Sequence, residues 1–389
     1  MTSLPSVRVS RKGADRVASG HPWIFSSDVT DRGAAQPGDA VRVMDPRGRA
    51  LGTAHFSSTS QISLRLLSDR ADEIGTEFFR RRLSEAARLR ERLVENTDAF
   101  RLVHGEADRL PALVVDRYGD CLVVQTLSQG MDRCKPVIVE ALTGLFSPRA
   151  IVARNDAGVR DRESLPREVG VLAGEDPGRL TVTMNGLRFH VEPLRGQKTG
   201  IFLDQRENYR AAARYAHGEA LDCFCSSGGF ALHLAARCAH VEAVDSAAEM
   251  LALAGENLRA NGIQNVTFKE ANAFDLLAGY ALAGRRLDTV VLDPPAFAKS
   301  RSTLDAAARG YKEINLRALK LLGSGGVLVT CSCSHHMSEA ALLEVVAEAS
   351  LDARRTLRVI ERRTQARDHP ILLTVPETHY LKCLVLEVV

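Results

Sequence analysis

The alternation of apolar strand and helix patterns after about residue 195 constrains the fold of this chain more than any other feature of its sequence. The helix patterns have apolar residues at helical spacing, as in residues 230–239 and 248–262. The predicted strands include residues 219–224, 240–246, 265–274 and 287–296. Strands that alternate with helices of this length form βαβ units, which build a largely parallel sheet. The sequence therefore predicts an α/β domain over residues 191–389 with a doubly wound, Rossmann-like sheet.

Two smaller domains are predicted before it. Residues 1–73 contain short runs rich in β-branched residues, broken by turn sequences such as Gln36-Pro37-Gly38-Asp39, which is typical of a small β-barrel. A helix is expected from about Ile74, and strands then alternate with a helix over residues 135–146. Residues 74–190 are therefore predicted to form a central α+β domain.

Composition limits the class of protein. Of the 389 residues, 45% are hydrophobic and 25% are charged, with a formal net charge of +3, which excludes a mainly disordered chain. No apolar run approaches the roughly 20 residues of a membrane span, and the first residues lack the apolar stretch of a secretory signal. We therefore expect a cytoplasmic protein with no membrane contact. Its eight scattered cysteines are not expected to form a disulfide framework.

A cofactor site is predicted at the end of the first strand of the α/β domain. Gly228 and Gly229 allow a close backbone approach to a ligand, and Asp245 ends the next strand roughly 20 residues after Asp222, where a carboxylate can bind a ribose. The segment lacks the G-x-G-x-x-G pattern of dinucleotide sites, so S-adenosylmethionine is the better candidate. The alternative is that the two glycines only form a tight turn. Asn272 is a candidate adenine contact or an ordinary loop residue.

Reactive side chains follow the next two strands. Asp293 precedes two prolines that hold the loop extended, and Cys331 and Cys333 end the fifth strand. Strands four and five are expected to be neighbours, so these groups should share a cleft. A thiolate that adds to C6 of a pyrimidine makes C5 nucleophilic enough to be methylated, and an acid near N3 takes up the developing charge.

The choice of cysteine stays open on geometry alone. Cys331 and Cys333 are expected on the same side of a strand, and either could simply be a buried apolar residue. A zinc site that combines them with Cys223, Cys225 and the histidines is disfavoured, because Cys-x-Cys on a strand spaces the ligands poorly for tetrahedral coordination. No metal is therefore expected.

Several segments together resemble one family. They are residues 20–25 (Gly-His-Pro-Trp-Ile-Phe), 105–106 (Gly-Glu), 110–119 (Leu-Pro-Ala-Leu-Val-Val-Asp-Arg-Tyr-Gly), 198–200 (Lys-Thr-Gly) and 202–206 (Phe-Leu-Asp-Gln-Arg). Their order resembles the RlmI-type class I methyltransferases, which make 5-methylcytosine in large-subunit ribosomal RNA. The resemblance covers nearly the whole chain and implies that the N-terminal barrel is a PUA domain, an RNA-binding module.

The resemblance also implies site residues. The Ser-Cys-Ser motif of the family aligns best with residues 332–334, which favours Cys333 as the nucleophile, with Asp293 at the edge of the base. The predicted cofactor-binding residues are Asp222, Phe224, Gly228, Gly229, Asp245, Ser246, Asn272, Ala273, Asp293, Lys198, Thr199 and Gln205. Many RNA cytosine-C5 enzymes carry a second cysteine where this chain has Ala296, so the group that removes the C5 proton is unassigned. Water, His335 or His336 could serve.

RNA is the expected partner, with large-subunit ribosomal RNA the class that the resemblance implies. Arg8, Arg11, Lys12 and Arg16 are candidates for phosphate contacts, with solvated surface charge as the default interpretation. Trp23 could stack on a base, although a core position in the barrel is the stronger interpretation. The target base must be unpaired or flipped to reach the cleft. The resemblance is also compatible with a homodimer.

Two other functions are kept as alternatives. The Asp293-Pro294-Pro295 sequence is similar to the motif of amino-group methyltransferases, which need no thiol. A non-catalytic RNA-binding or ribosome-assembly protein is the third hypothesis, but it predicts eroded glycine and acid motifs, and these motifs are intact. Replacement of Cys333 separates the first two hypotheses, and cofactor binding separates the third.

Overall fold

The computed structural model describes residues 4–196, 199–297 and 304–389. The chain forms two compact units. The first comprises Met1–Val182, Val191–Ile201 and Arg367–Thr378, and the second comprises Thr183–His190, Phe202–Ala366 and His379–Val389. The three-domain division at residues 73 and 190 stays a prediction. In the described ranges, no helix is long and apolar enough to cross a membrane.

The N-terminal part of the first unit is the predicted β module. Its elements are β1 (Ser6–Val9), α1 (Arg11–Ala18), β2 (Trp23–Phe25), β3 (Val29–Asp31), β4 (Ala40–Met44), β5 (Ala50–Phe56) and β6 (Ile62–Ser68). The strands form one sheet in the order β2-β6-β5-β4-β1-β3 around a core that includes Val7, Ile24 and Leu64. The helix α1 was not predicted. Its signal is Ser10, whose hydroxyl accepts a hydrogen bond from the Gly13 N–H as an N-cap.

The rest of the first unit is the predicted α+β region. Its elements are α2 (Thr76–Leu93), β7 (Ala99–His104), β8 (Leu113–Tyr118), β9 (Cys121–Thr126), α3 (Gln129–Arg133), α4 (Lys135–Phe146), β10 (Ala150–Asn155) and β11 (Glu168–Gly174). The strands form a sheet in the order β11-β10-β9-β8-β7. The helix α4 has the predicted bounds. A two-stranded sheet of β12 (Leu180–Met184) and β13 (Leu187–Val191) follows.

The second unit contains the predicted Rossmann-like α/β fold, although Val191–Ile201 and Arg367–Thr378 of the predicted range belong to the first unit. Its elements are α5 (Arg206–Tyr215), β14 (Glu219–Cys223), α6 (Gly229–Leu234), β15 (His240–Asp245), α7 (Ala248–Ala260), β16 (Val266–Glu270), α8 (Ala273–Leu282), β17 (Leu287–Leu292), α9 (Leu304–Leu321), β18 (Leu322–Ser332), α10 (Glu339–Asp352), β19 (Leu357–Arg363) and β20 (Lys382–Val388). The sheet order is β16-β15-β14-β17-β18-β20-β19. The strands β14 to β18 are parallel, whereas β20 runs antiparallel to both of its neighbours.

This topology positions the site. The strands β14 and β17 are adjacent, and β18 pairs with β17, which confirms that the fourth and fifth strands of the domain are neighbours. In an open α/β sheet, ligands bind beyond the carboxyl ends of the strands, where the strand order reverses. The loops after β14, β15, β17 and β18 all leave from that edge. Two predicted strands were too long: residues 265–274 are strand only to Glu270, with α8 beginning at Ala273, and residues 287–296 are strand only to Leu292.

Candidate active site

The loop after β14 has a strained backbone. Phe224 and Ser226 have φ angles of 66° and 48°, in the left-handed region that non-glycine residues rarely adopt. Gly228 has φ 88°, which only glycine adopts without cost. A Cβ on Gly229 would lie 2.4 Å from Cζ of the Tyr209 ring. Gly228 is therefore required by the turn and Gly229 by its close contact with Tyr209, and the contact of either with a cofactor stays a prediction.

Asp222 is a buried carboxyl group with one unsatisfied oxygen. Its Oδ2 accepts a hydrogen bond of 2.9 Å from the Ala231 N–H, while Oδ1 has no partner among the described residues. Burial raises the pKa of Asp222 well above its usual range, and the negative charges of Asp293 and Asp245 raise it further. A buried oxygen without a donor costs free energy, so this atom is suited to a ligand that carries donors or positive charge.

Asp245 is held rigidly at the end of β15. Its Oδ2 accepts from the Ser226 N–H at 2.9 Å, and its Oδ1 accepts from the Ala247 N–H at 3.0 Å. Each carboxylate oxygen has a second lone pair, so the group can accept further bonds from ribose hydroxyls. The neighbouring Ser246 is exposed.

Asn272 has a structural role that the sequence analysis did not assign. Its Oδ1 accepts from the Phe274 N–H at 2.9 Å and thereby caps α8. Ala273 is buried and packs in the core of the second unit. A contact from either residue to an adenine stays a prediction. For Asn272 it would involve the amide NH₂ group, since Oδ1 caps the helix.

A chain of hydrogen bonds holds Asp293. The Gln205 amide nitrogen donates to Asp293 Oδ1 at 2.9 Å, and Gln205 Oε1 accepts from Asn208 Nδ2 at 2.7 Å. Asn208 also donates to the Thr364 carbonyl at 3.1 Å and accepts from Arg363 Nε at 2.8 Å. Gln205 thus fixes the orientation of the carboxylate that the sequence analysis placed at the edge of the base.

The two cysteines occupy different environments. Cys331 lies within β18, fully buried and directly opposite Cys383 on β20. Burial raises the pKa of the Cys331 thiol well above its usual range, and the neighbouring Cys383 and Asp293 raise it further. Cys333 is half-buried and lies beyond Ser332, the last residue of β18. The strand ends between them, so the alternation of side chains along a strand applies to Cys331 and not to Cys333.

Two side chains beside Cys333 were not foreseen. Tyr311 on α9 is fully buried, and its hydroxyl accepts from Ser332 Oγ at 2.9 Å and lies 3.2 Å from Ser334 Oγ. Lys382 on β20 is also buried and donates to the carbonyl of Ser334 at 2.6 Å. The only sequence signal for Lys382 is a charged residue at the start of an apolar strand.

Other predicted residues have different positions. Lys198 lies outside the described residues. Thr199 belongs to the first unit, where its hydroxyl donates to Asp116 Oδ2 at 2.6 Å. His335 and His336 are exposed after Cys333, with the His335 ring 5.7 Å from that of Tyr380. In the part of the chain that is described, no group of three or more histidine, cysteine or acidic side chains could hold a metal ion.

The predicted RNA contacts lie on the N-terminal module. Arg8 on β1 and Arg11 and Lys12 on α1 are exposed. Arg16 is half-buried, with its guanidinium carbon 4.6 Å from the centre of the Phe25 ring.

Trp23 is half-buried rather than part of the barrel core. Its indole N–H donates to Glu106 Oε1 at 2.9 Å, and the core position is taken by Ile24. The interpretation of Trp23 as a core residue is therefore wrong. Successive residues of a strand point to opposite faces, so only one of the two can be buried inside.

The residues present fit S-adenosylmethionine. This cofactor carries a positive sulfonium, an amino group and ribose hydroxyls. Asp245 and Asp293 supply negative charge near Asp222, and Asp222 Oδ1 is a buried acceptor without a donor among the described residues. Asp245 has the position at the end of the second strand that a ribose contact requires.

Comparisons with known proteins agree with this assignment. The profile of the PUA-like domain family matches residues 7–69, and that of the S-adenosylmethionine-dependent methyltransferases matches residues 139–385. A solved methyltransferase in complex with SAH has a TM-score of 0.85 with 18% identity, over 99% of this chain and 100% of that chain, which shows the common fold.

Relatives of known name are similar over almost their full length. Ribosomal RNA large subunit methyltransferase I of Shewanella denitrificans is 41% identical over 378 residues, 95% of each chain. The protein of the same name from Erwinia tasmaniensis is 40% identical over 371 residues, 93% of this chain and 94% of its own. These matches confirm the resemblance drawn from the sequence motifs. The chain therefore belongs to the S-adenosylmethionine-dependent methyltransferases and, among them, to the ribosomal RNA large subunit methyltransferase I family.

Proposed function

We propose that the protein methylates C5 of a cytosine in large-subunit (23S) ribosomal RNA, with Cys333 as the nucleophile. The substrate class follows from the names of the relatives and from the PUA-like domain. The observation that carries the chemistry is the half-buried Cys333 just beyond β18, next to the strand that ends before Asp293. The buried Cys331, whose pKa is raised, is the poorer candidate because a protonated thiol is a weak nucleophile.

The thiol is required because C5 of cytosine is a weak nucleophile. When the Cys333 thiolate adds to C6, the electrons of the C5–C6 double bond become available at C5. Once C5 carries the methyl group, a base removes the C5 proton and the C6–S bond breaks, which regenerates the thiolate. Sulfur suits both steps because it is a good nucleophile and a good leaving group.

The remaining site residues hold the reactants. Asp293, oriented by Gln205, contacts the N3 edge of the base and stabilises the charge that develops there. Asp222 and Asp245 bind the cofactor with the loop of Phe224, Gly228 and Gly229, and Ser246, Asn272 and Ala273 of the same unit are the further proposed contacts. S-adenosylmethionine supplies an electrophilic methyl group when it is bound.

RNA binding is proposed for the N-terminal module. The exposed Arg8, Arg11 and Lys12 are suited to phosphates, because guanidinium and ammonium groups at the surface neutralise the RNA backbone. The half-buried Trp23 is the candidate for stacking on an unpaired base. We also propose a cytoplasmic location, which the ribosomal RNA substrate of the relatives supports, and keep a homodimer as a prediction.

A trapping experiment tests the chemistry. RNA with 5-fluorocytosine at the target position should form a stable covalent adduct at Cys333, because fluorine at C5 cannot leave as a proton does. Cys333→Ala should abolish methyl transfer and still bind S-adenosylhomocysteine in isothermal titration. Cys134→Ala, which removes another half-buried thiol, is the matched control and should retain turnover.

The outcomes separate the alternatives. An adduct recovered at Cys331 by peptide mass spectrometry would overturn the choice of nucleophile. Full turnover of Cys333→Ala would favour methylation of an amino group. Bisulfite mapping of ribosomal RNA from a deletion strain, before and after treatment with the purified protein, identifies the cytosine.

A further inference from the structure

The neighbourhood of Cys333 contains a buried lysine that the mechanism above does not use. Lys382 is 3% exposed, and its Nζ donates to the carbonyl oxygens of Ser334 at 2.6 Å and Tyr380 at 2.9 Å. Lysine is among the residues least often buried, because the ammonium group loses its hydration. Among the described residues no carboxylate lies within ion-pair distance of Lys382. A lysine in such a position needs an explanation.

The strand register explains how Lys382 reaches the loop that contains Cys333. Lys382 is paired with Ser332 across the antiparallel β18–β20 ladder, so the two side chains lie on the same face of the sheet. The lysine then extends past the end of β18 to the carbonyl of Ser334, the residue that follows Cys333. The two hydrogen bonds to carbonyls fix the position of Nζ beside the Cys333 loop.

The electrostatics of the pair agree with this position. Burial lowers the pKa of Lys382 to about 8, and the neighbouring Cys333 opposes that shift. Tyr311 faces Cys333 from α9, and burial raises the pKa of its phenol, so it adds no charge at neutral pH. Asp293 follows the adjacent strand β17, and His335 lies in the same loop as Cys333. Of the side chains named around Cys333, Lys382 is thus the cation whose position is fixed by hydrogen bonds.

We infer that Lys382 activates Cys333: the Lys382 ammonium group stabilises the Cys333 thiolate as an ion pair. The S–H bond breaks, the electron pair stays on sulfur, and the proton passes to solvent, to which the half-buried Cys333 is open. This assignment rests on the proposed function, in which Cys333 is the nucleophile. Lys382 acts through Cys333 and is therefore a positioning residue. Its positive charge offsets the effect of the low-dielectric surroundings, which would otherwise keep the thiol protonated.

The test measures the thiolate directly and needs no RNA. The rate of alkylation of Cys333 by iodoacetamide is followed against pH by peptide mass spectrometry, with Cys333→Ser as the blank. We expect the wild-type rate to reach half its maximum at least one pH unit below that of a free thiol, which is about 8.5. Lys382→Met should lower the rate at neutral pH by about tenfold or more, and Lys382→Arg, which keeps the charge, should restore most of it.

Controls separate this effect from a loss of folding. Lys320→Met removes an exposed lysine and should leave the profile unchanged. Binding of S-adenosylhomocysteine checks that each variant is folded. An unchanged profile in Lys382→Met, or an equal loss in Lys382→Met and Lys382→Arg, would overturn the inference. A wild-type midpoint at or above that of a free thiol would do so without any variant.

The result is independent of the test of the proposed function. A shifted alkylation profile without a 5-fluorocytosine adduct would leave the ion pair standing and refute cytosine-C5 chemistry. An adduct at Cys333 with an unshifted profile would support the chemistry and refute the role of Lys382.

Discussion

The two carboxylates that flank the loop after β14 should respond in opposite ways to the same substitution. In Asp222, one oxygen accepts from the Ala231 N–H and the other has no donor among the described residues. Asp222→Asn keeps the acceptor for Ala231 and places a neutral NH₂ group where the orphan oxygen was, facing the negative charges of Asp245 and Asp293. In Asp245→Asn, one of two backbone N–H groups loses its acceptor.

The magnitudes follow from these contacts. Because burial raises the pKa of Asp222, its contribution to folded stability is present at low pH and is lost as the pH rises through the folded-state value. At neutral pH the folded protein therefore carries a cost that Asp222→Asn removes. We expect the ligand-free protein to gain about 1–2 kcal/mol, which is roughly 2–8 °C in melting temperature for a unit of this size. Asp245→Asn should cost about 1–3 kcal/mol.

Differential scanning calorimetry without ligand measures the stability, and isothermal titration with S-adenosylhomocysteine measures the affinity. Each variant should lose about 10- to 100-fold in affinity, the range expected for one hydrogen bond to a charged group. If Asp222→Asn raises the melting temperature and weakens S-adenosylhomocysteine binding, the carboxylate of Asp222 serves the ligand and not the stability of the fold. A lower melting temperature in Asp222→Asn would refute the reasoning, because the orphan oxygen would then have a partner.

Three further outcomes are expected. Gly229→Ala should lower the melting temperature by several degrees, because its Cβ would lie 2.4 Å from the Tyr209 ring, and calorimetry measures this. Burial lowers the pKa of His55 to about 3, so folded stability should fall as the pH drops from about 6.5 towards 3, and His55→Gln should flatten that part of a denaturation–pH profile. Gln205→Leu should lower kcat by about tenfold or more, because Asp293 loses the donor that orients it; an unchanged kcat would remove Gln205 from the mechanism.

Local patterns were enough to predict most of the fold. The helix over residues 135–146 and the strands β14, β15, β17 and β18 follow directly from apolar periodicity, and the rules for βαβ units then place their ends at one edge. The residues at those ends, Asp245 and Asp293 among them, could therefore be named from the sequence. The helix α8 was missed because its N-cap, Asn272, and its first residue, Ala273, were assigned to the preceding strand.

The details of the site could not be predicted, because they depend on pairing between distant segments. Whether Cys331 or Cys333 is accessible is decided by the residue at which β18 ends, and nothing in the local pattern marks that residue. Lys382 reaches the carbonyl of Ser334, next to Cys333 in the chain, only because β20 pairs with β18 in one particular register. Likewise, the hydrogen bond from Gln205 to Asp293 joins residues 88 positions apart.

The place of β20 in the sheet has a consequence for how this site is assembled and lost. β20 is inserted between β18 and β19, so the ladder to β18 forms only when the chain segment after β19 docks into the open edge. A transient separation of the β19–β20 pair from β18 would withdraw the lysine from the sulfur while the five parallel strands stay intact. On heating or in denaturant, the reactivity of the Cys333 thiol should therefore be lost before the parallel part of the sheet unfolds.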